Sequence, residues 1–88
     1  MKVEFLSSFS KDLDRIVDKQ LKSKLIQVIE TLENCESLTQ IANVKKLKGS
    51  AIAYRIRIGN YRLGFYSENN TIEIARFVHR KEIYRTFP

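Results

Sequence analysis

In 88 residues the sequence has one cysteine, one proline, three glycines and no tryptophan. The lone thiol, Cys35, excludes an intrachain disulfide and leaves no set of Cys and His ligands for a structural zinc. Little proline and glycine, beside 43% hydrophobic and 30% charged residues, excludes a disordered or fibrous chain and fits a packed globular one. No apolar run approaches the roughly 18 residues of a membrane span. The opening Met1-Lys2-Val3-Glu4-Phe5-Leu6 puts a carboxylate where a signal peptide needs its apolar segment. A cytoplasmic protein without a membrane anchor is expected. Also missing are a carboxylate cluster for magnesium, a Gly-rich phosphate loop, an HExxH motif and any evident Ser/His/Asp set. The length sets one small domain, residues 1–88, with no cleft between domains, so function must sit on a surface.

What is abundant is positive charge. Sixteen Lys and Arg against ten Asp and Glu give a formal net charge of +6. The excess is confined to one half: residues 1–44 carry six Lys/Arg and seven Asp/Glu, residues 45–88 carry ten and three. A polyanion is the natural partner, and its contacts belong to the second half.

Val3 and Phe5 mark a short first strand ending at Ser7-Ser8, with Ser8 or Ser10 as a helix N-cap and Asp12 and Asp14 in the first turn. Phe9, Leu13, Ile16 and Val17 form one helical stripe, and Leu21, Leu25, Val28, Ile29 and Leu32 form a second, which predicts a helical hairpin. Residues 34 to 43 lose periodicity and read as a helix end and loop, and Lys45, Lys46 and Lys48 precede Gly49 in a loop. Ala53 to Ile58, Tyr61 to Ser67 and Thr71 to Val78 are strand-like, separated by Gly59-Asn60 and by a turn at Glu68-Asn69-Asn70. The expected class is α+β: a helical hairpin packed on an antiparallel sheet in the order β-α-α-β-β-β, followed by a short C-terminal helical turn.

The two-residue loop fixes a register that pairs Arg57 with Arg62 and Arg55 with Gly64. Tyr54, Ile56, Ile58, Tyr61, Leu63 and Phe65 then share the core face, leaving Arg55, Arg57, Arg62, Gly64 and Tyr66 on the other. Opposed like charges are unfavourable in a sheet, so Arg57 beside Arg62 needs a counter-ion or a functional reason. A four-residue second turn would supply the counter-ion by placing Glu73 opposite Gly64. The functional reading is a phosphate site, because guanidinium forks donate bidentate bonds and keep their charge. In that reading Gly64 leaves room for a backbone, Tyr66 offers a stacking surface for a base, and Lys45, Lys46 and Lys48 extend the track. Past the third run, His79, Arg80, Lys81, Tyr84 and Arg85 crowd into seven residues. His79 is either a surface residue or a proton carrier, since an unperturbed imidazole titrates near about 6.5. Without metal ligands or a cofactor motif, a nucleolytic reaction here has to be metal-independent. RNA suits this because its 2′-hydroxyl is a built-in nucleophile.

Leu47-Lys48-Gly49, the run from Tyr54 to Arg62, and the run from His79 to Arg85 together resemble the RelE/ParE superfamily of toxins from type II toxin–antitoxin modules. The resemblance extends over the whole chain and implies a RelE-like fold, no cofactor, and a cognate antitoxin that wraps the toxin. For the RelE branch it implies a ribosome-dependent endoribonuclease that cuts mRNA in the A site. It also assigns Arg55 and Arg57 as basic strand residues and Arg62 as a phosphate ligand. Arg80 would stabilise the transition state or protonate the leaving oxygen, and Tyr84 would orient or stack on the substrate. At Arg57 the best-known members carry a lysine proposed as general base, a role closed to arginine near neutral pH. His79 is the alternative base. The competing branch, ParE, implies a non-enzymatic inhibitor of DNA gyrase, and a third reading is a toxin-fold remnant that acts as a repressor partner.

Overall fold

Alternating apolar residues along three successive strands bury one side of each, and the chain assembles everything else around that surface. The computed structural model describes all residues, Met1–Pro88. In chain order the elements are β1 (Lys2–Phe5), α1 (Ser7–Asp14), α2 (Lys19–Asn34), β2 (Val44–Lys46), β3 (Ala53–Ile58), β4 (Tyr61–Glu68), β5 (Thr71–His79) and α3 (Ile83–Thr86), with a 3₁₀ turn at Leu38–Gln40 between α2 and β2. They form one five-stranded sheet, ordered β1-β5-β4-β3-β2.

The β3–β4 pairing is the register expected from Gly59-Asn60, with Arg57 opposite Arg62 and Arg55 opposite Gly64. Two features add to the expected order. β2 forms an extra antiparallel edge strand on β3, where Lys45 and Lys46 were expected in a loop. β1 pairs with β5 in parallel, so the sheet is mixed rather than wholly antiparallel. β1 is the short first strand expected from Val3 and Phe5, whereas β2, at three residues, is too brief for alternation to announce it.

The second turn differs from expectation. Asn69 and Asn70 both adopt left-handed backbone (φ 53° and 61°), a conformation asparagine tolerates, so a tight turn pairs Glu68 directly with Thr71. An irregularity next to Gly64 then shifts the register, bringing Arg76 opposite Gly64 and Glu73 opposite Tyr66. Glu73 is therefore no counter-ion for the arginines.

The helices bury Phe9, Leu25 and Leu32, and the connection between them buries Ile16, against Ile56, Ile58, Leu63, Phe65, Ile72, Ile74 and Phe77. Asp18, at the start of α2, accepts hydrogen bonds from the Gln20 and Leu21 N–H groups at 2.9 and 3.2 Å. α1 begins earlier than its serines suggest. Leu6 is its N-cap, Ser8 donates to the Ala75 carbonyl at 2.6 Å, and the helix stops at Asp14, leaving Val17 89% exposed in the connection rather than in the apolar stripe. Asp12 consequently faces inward. Its carboxylate takes both the Nε and Nη2 of Arg76, at 2.7 and 2.9 Å, and the Phe77 N–H at 2.9 Å. On the opposite side of the sheet a smaller cluster of Ala53, Ala75, Val78, Ile83 and Phe87 seats the C-terminal tail. No helix is long and apolar enough to cross a membrane.

Candidate functional site

Burying Tyr54, Ile56 and Ile58 under the helices turns the alternate residues of β3, Arg55 and Arg57, to the other side of the sheet. Arg62 joins them from β4. Arg80 follows two residues after Val78, anchored by its N–H on the Asn60 carbonyl at 2.8 Å. Burial and then the charges of Arg57, Arg55 and Arg80 push the Arg62 guanidinium below the ordinary arginine value, with the Tyr84 phenol acting in the opposite sense. The four guanidinium groups therefore act on one patch.

Three of the four are held by side-chain contacts, and none is neutralised. Arg62 Nη1 donates to the Gly59 and Tyr61 carbonyls at 3.1 and 2.9 Å, which leaves its Nε and Nη2 donors without a protein partner. Arg57 Nη2 donates to Asn43 Oδ1 at 3.3 Å. Arg55 lies over the Tyr84 ring, with Cζ 4.6 Å from the centroid and Nη2 3.4 Å from the phenol oxygen. The ion pairs of the molecule are Lys2–Glu4 and Asp12–Arg76, and neither involves these four arginines. Tyr84 is 74% exposed, so one surface of its ring stays open for stacking. No three His, Cys, Asp or Glu side chains converge as metal ligands.

The remaining expected site residues separate. Lys45 stands opposite Arg55 on β2 and extends the basic face, whereas Lys46 stands opposite Tyr54 and faces the other way. Lys48 is exposed in the turn after β2. Tyr66 is half-buried, and its ring packs on Phe87 with centroids 5.0 Å apart, so it serves the tail as well as the basic face. Gly64 leaves no space for a ligand backbone either, since the Phe87 ring occupies that space. His79 is opposite Tyr61, on the helix side of the sheet. Its ring meets the edge of the Tyr61 ring at 5.7 Å and its Nδ1 accepts the Lys81 N–H at 3.2 Å. Strand alternation thus sends the imidazole away from Arg62, whose partner on β5 is the neighbouring Val78.

The family described as ParE toxin of type II toxin-antitoxin system, parDE, matches residues 3–84. Toxin RelE3 of Methanocaldococcus jannaschii is 42% identical over 89 residues, covering all of both chains. This chain is a member of the RelE/ParE superfamily of type II toxins. The putative toxin RelE1 of the same organism is 35% identical over 91% of this chain and 89% of its own. Among solved structures, the RelB-RelE antitoxin-toxin complex from Methanococcus jannaschii superposes with a TM-score of 0.82 at 38% identity, covering 97% of this chain and 99% of that one. The YoeB dimer from Staphylococcus aureus shares the fold at 23% identity, with a TM-score of 0.75 over 91% and 97% of the two chains.

Three residues shape this toxin's basic face in ways the sequence did not show, although Asp12 was expected in the first turn of α1 and Phe87, with Ile83, as a residue docking the tail on the core. Asn43 holds Arg57 from a left-handed turn (φ 65°), and an asparagine just before a strand-like Val-Lys-Lys was the available signal. Asp12 engages Arg76, which removes that arginine from the free set and raises its pKa, chiefly through the carboxylate hydrogen bonds. Phe87 fills the Gly64 notch, which no local pattern announces.

Proposed function

We propose that this toxin is an endoribonuclease that cleaves messenger RNA on the ribosome, and that a cognate antitoxin holds it inactive. The observation that carries the reading is the open face of Arg55, Arg57, Arg62 and Arg80 beside the exposed Tyr84, with no carboxylate partner for any of the four. Arg62 on backbone carbonyls, Arg57 on an amide oxygen and Arg55 on Tyr84 are preorganised for phosphate, and all four guanidinium groups stay charged throughout the working pH range. Arg55, Arg57 and Arg62 bind the phosphates flanking the scissile bond, and Lys45 extends the track. Arg80 stabilises the charge that builds on the phosphorane, and Tyr84 stacks on a base.

In this reaction the 2′-oxygen attacks phosphorus and the 5′-oxygen leaves, giving a cyclic phosphate and a 5′-hydroxyl. The 2′-proton needs an acceptor, and the chain offers a poor one: Arg57 cannot take it, and His79 is on the far side of the sheet. An incomplete set of proton carriers fits an enzyme that works inside a larger RNA-containing assembly, which supplies positioning and the missing group. The names of the RelE relatives, and of the RelE chain solved with RelB, support this reading over gyrase inhibition and support an antitoxin partner.

Mapping of transcript ends in a reconstituted translation system tests it. Cuts within coding sequence that appear only during translation are expected. Efficient cutting of naked RNA, or arrested gyrase with intact transcripts, would reject it.

A further inference from the structure

Tyr84, the aromatic residue of the basic face, stands on weak support. α3 has four residues, too few to persist alone, and Tyr84 itself is 74% exposed. Its position depends on the residues either side of it. Ile83 and Phe87 are 1% and 3% exposed, sunk into the smaller core, and the Phe87 N–H closes the turn onto the Ile83 carbonyl at 2.9 Å. The floor that receives them is built of small residues, Ala53, Gly64 and Ala75, with Val78.

The fit at Gly64 is tight. A Cβ there would lie 2.6 Å from both Cγ and Cδ2 of Phe87, and 3.0 Å from Cε2, closer than real carbon atoms approach. Gly64 is not in a left-handed conformation, so the missing side chain serves space rather than backbone freedom. Gly64 is also the β4 residue directly opposite Arg55. The notch that takes Phe87 thus lies across the strand pair from Arg55, the residue whose guanidinium stacks on Tyr84 three positions before Phe87.

We propose that Phe87, seated in the Gly64 notch, is a positioning residue that fixes Tyr84 over Arg55 and so completes the substrate-facing surface. The proposal rests on the ribonuclease reading only for its effect on cleavage. Its structural content stands apart from that reading.

The experiment uses the full chain labelled with 3-fluorotyrosine, whose four tyrosines give separable fluorine resonances, alongside single-turnover cleavage in the translation system. Tyr84→Phe assigns its resonance, and Arg55→Ala defines the shift of a ring released from the cation. Gly64→Ala is expected to move the Tyr84 resonance to that released position while Tyr54 and Tyr61, packed on the main core, stay unmoved. Phe87→Ala is expected to do the same and to fold even if Gly64→Ala does not, because it leaves the main core intact. Both should slow cleavage by about 10²-fold, the scale of a misplaced positioning contact. In the Phe87→Ala background, Gly64→Ala should add nothing, since the Cβ then meets no ring.

An unmoved Tyr84 resonance in folded Phe87→Ala overturns the proposal, as does a Gly64→Ala effect that persists undiminished without the phenyl ring. If the resonance moves as expected while cleavage is unaltered, the ribonuclease reading stands and the proposal is overturned, because the surface then works without a fixed Tyr84; if the parent protein does not cleave, the ribonuclease reading fails and the positioning is judged by the resonances alone.

Discussion

Two regions of the molecule use arginine in opposite ways. Arg76 is gripped by Asp12 through two hydrogen bonds, on a carboxylate that is 4% exposed and also accepts the Phe77 N–H, and its pKa is raised. On the basic face, Arg62 has no carboxylate partner, and its pKa is lowered first by burial and then by three cationic neighbours. The first arrangement closes a polar gap where α1 meets β5. The second keeps mutually repelling charges together, which a small domain does not sustain for stability's sake. On the proposed reading the difference separates structural cations from those kept for a ligand, and counting basic residues does not reveal it.

Deleting the carboxylate tests the structural side most severely. Asp12→Ala leaves Arg76 and the Phe77 N–H without their acceptor at a nearly dry site, at a cost of about 3–5 kcal/mol, a large part of the stability of a domain this size. Thermal or denaturant unfolding should show a fully unfolded or strongly destabilised variant, and a midpoint shift of only a degree or two would place Asp12 among dispensable surface charges. Asp12→Asn, which keeps an acceptor oxygen, should lose less.

The ligand side is tested by activity. Arg80→Ala should lower single-turnover cleavage by about 10²–10³-fold, the usual loss for one preorganised donor, with the unfolding midpoint unchanged. Equal loss of ribosome binding and cleavage would make Arg80 a general electrostatic contact instead. A smaller effect separates the two regions directly. Because Arg57 lowers the pKa of Arg62, its charge opposes that of Arg62 in the folded state at every pH where both are protonated. Arg57→Gln should therefore leave stability unchanged or raise it by up to about 0.5 kcal/mol at low salt, while weakening binding to RNA. A clear loss of stability would show that the Asn43–Arg57 hydrogen bond outweighs the repulsion.

These contrasts also show where the sequence is legible. The β3–β4 hairpin could be read residue by residue, because its turn and its alternation are local and agree. From that register Arg55, Arg57 and Arg62 follow at once. Features set by contacts far apart in the chain were not legible: β1 beside β5, the short β2, Asp12 on Arg76 across 64 residues, and Phe87 in the Gly64 notch. The Glu73 counter-ion was misplaced because the turn uses two asparagines in left-handed backbone, and because the ladder slips beside Gly64.

The smallest expected effect belongs to His79, and it bears on whether the chain carries its own base. In sequence the imidazole adjoins Arg80, which makes it the natural substitute for the lysine absent at Arg57. In space, successive strand residues point to opposite faces, and His79 belongs to the face of Tyr61 and Phe77. Its Nδ1 already accepts the Lys81 N–H, which leaves Nε2 as the remaining ring nitrogen, on a ring set against Tyr61 rather than the arginines. His79→Ala should therefore leave the pH–rate profile of single-turnover cleavage superimposable on that of the parent, with only a modest loss of stability from the Tyr61 contact. Loss of an acidic limb in that variant would bring His79 back as the base and require the β5 end to turn over when substrate binds. An unchanged profile leaves proton removal to a group outside the chain, so the difference between paired and unpaired arginines would extend to the chemistry: the toxin provides the charge, and the ribosome or solvent provides the base.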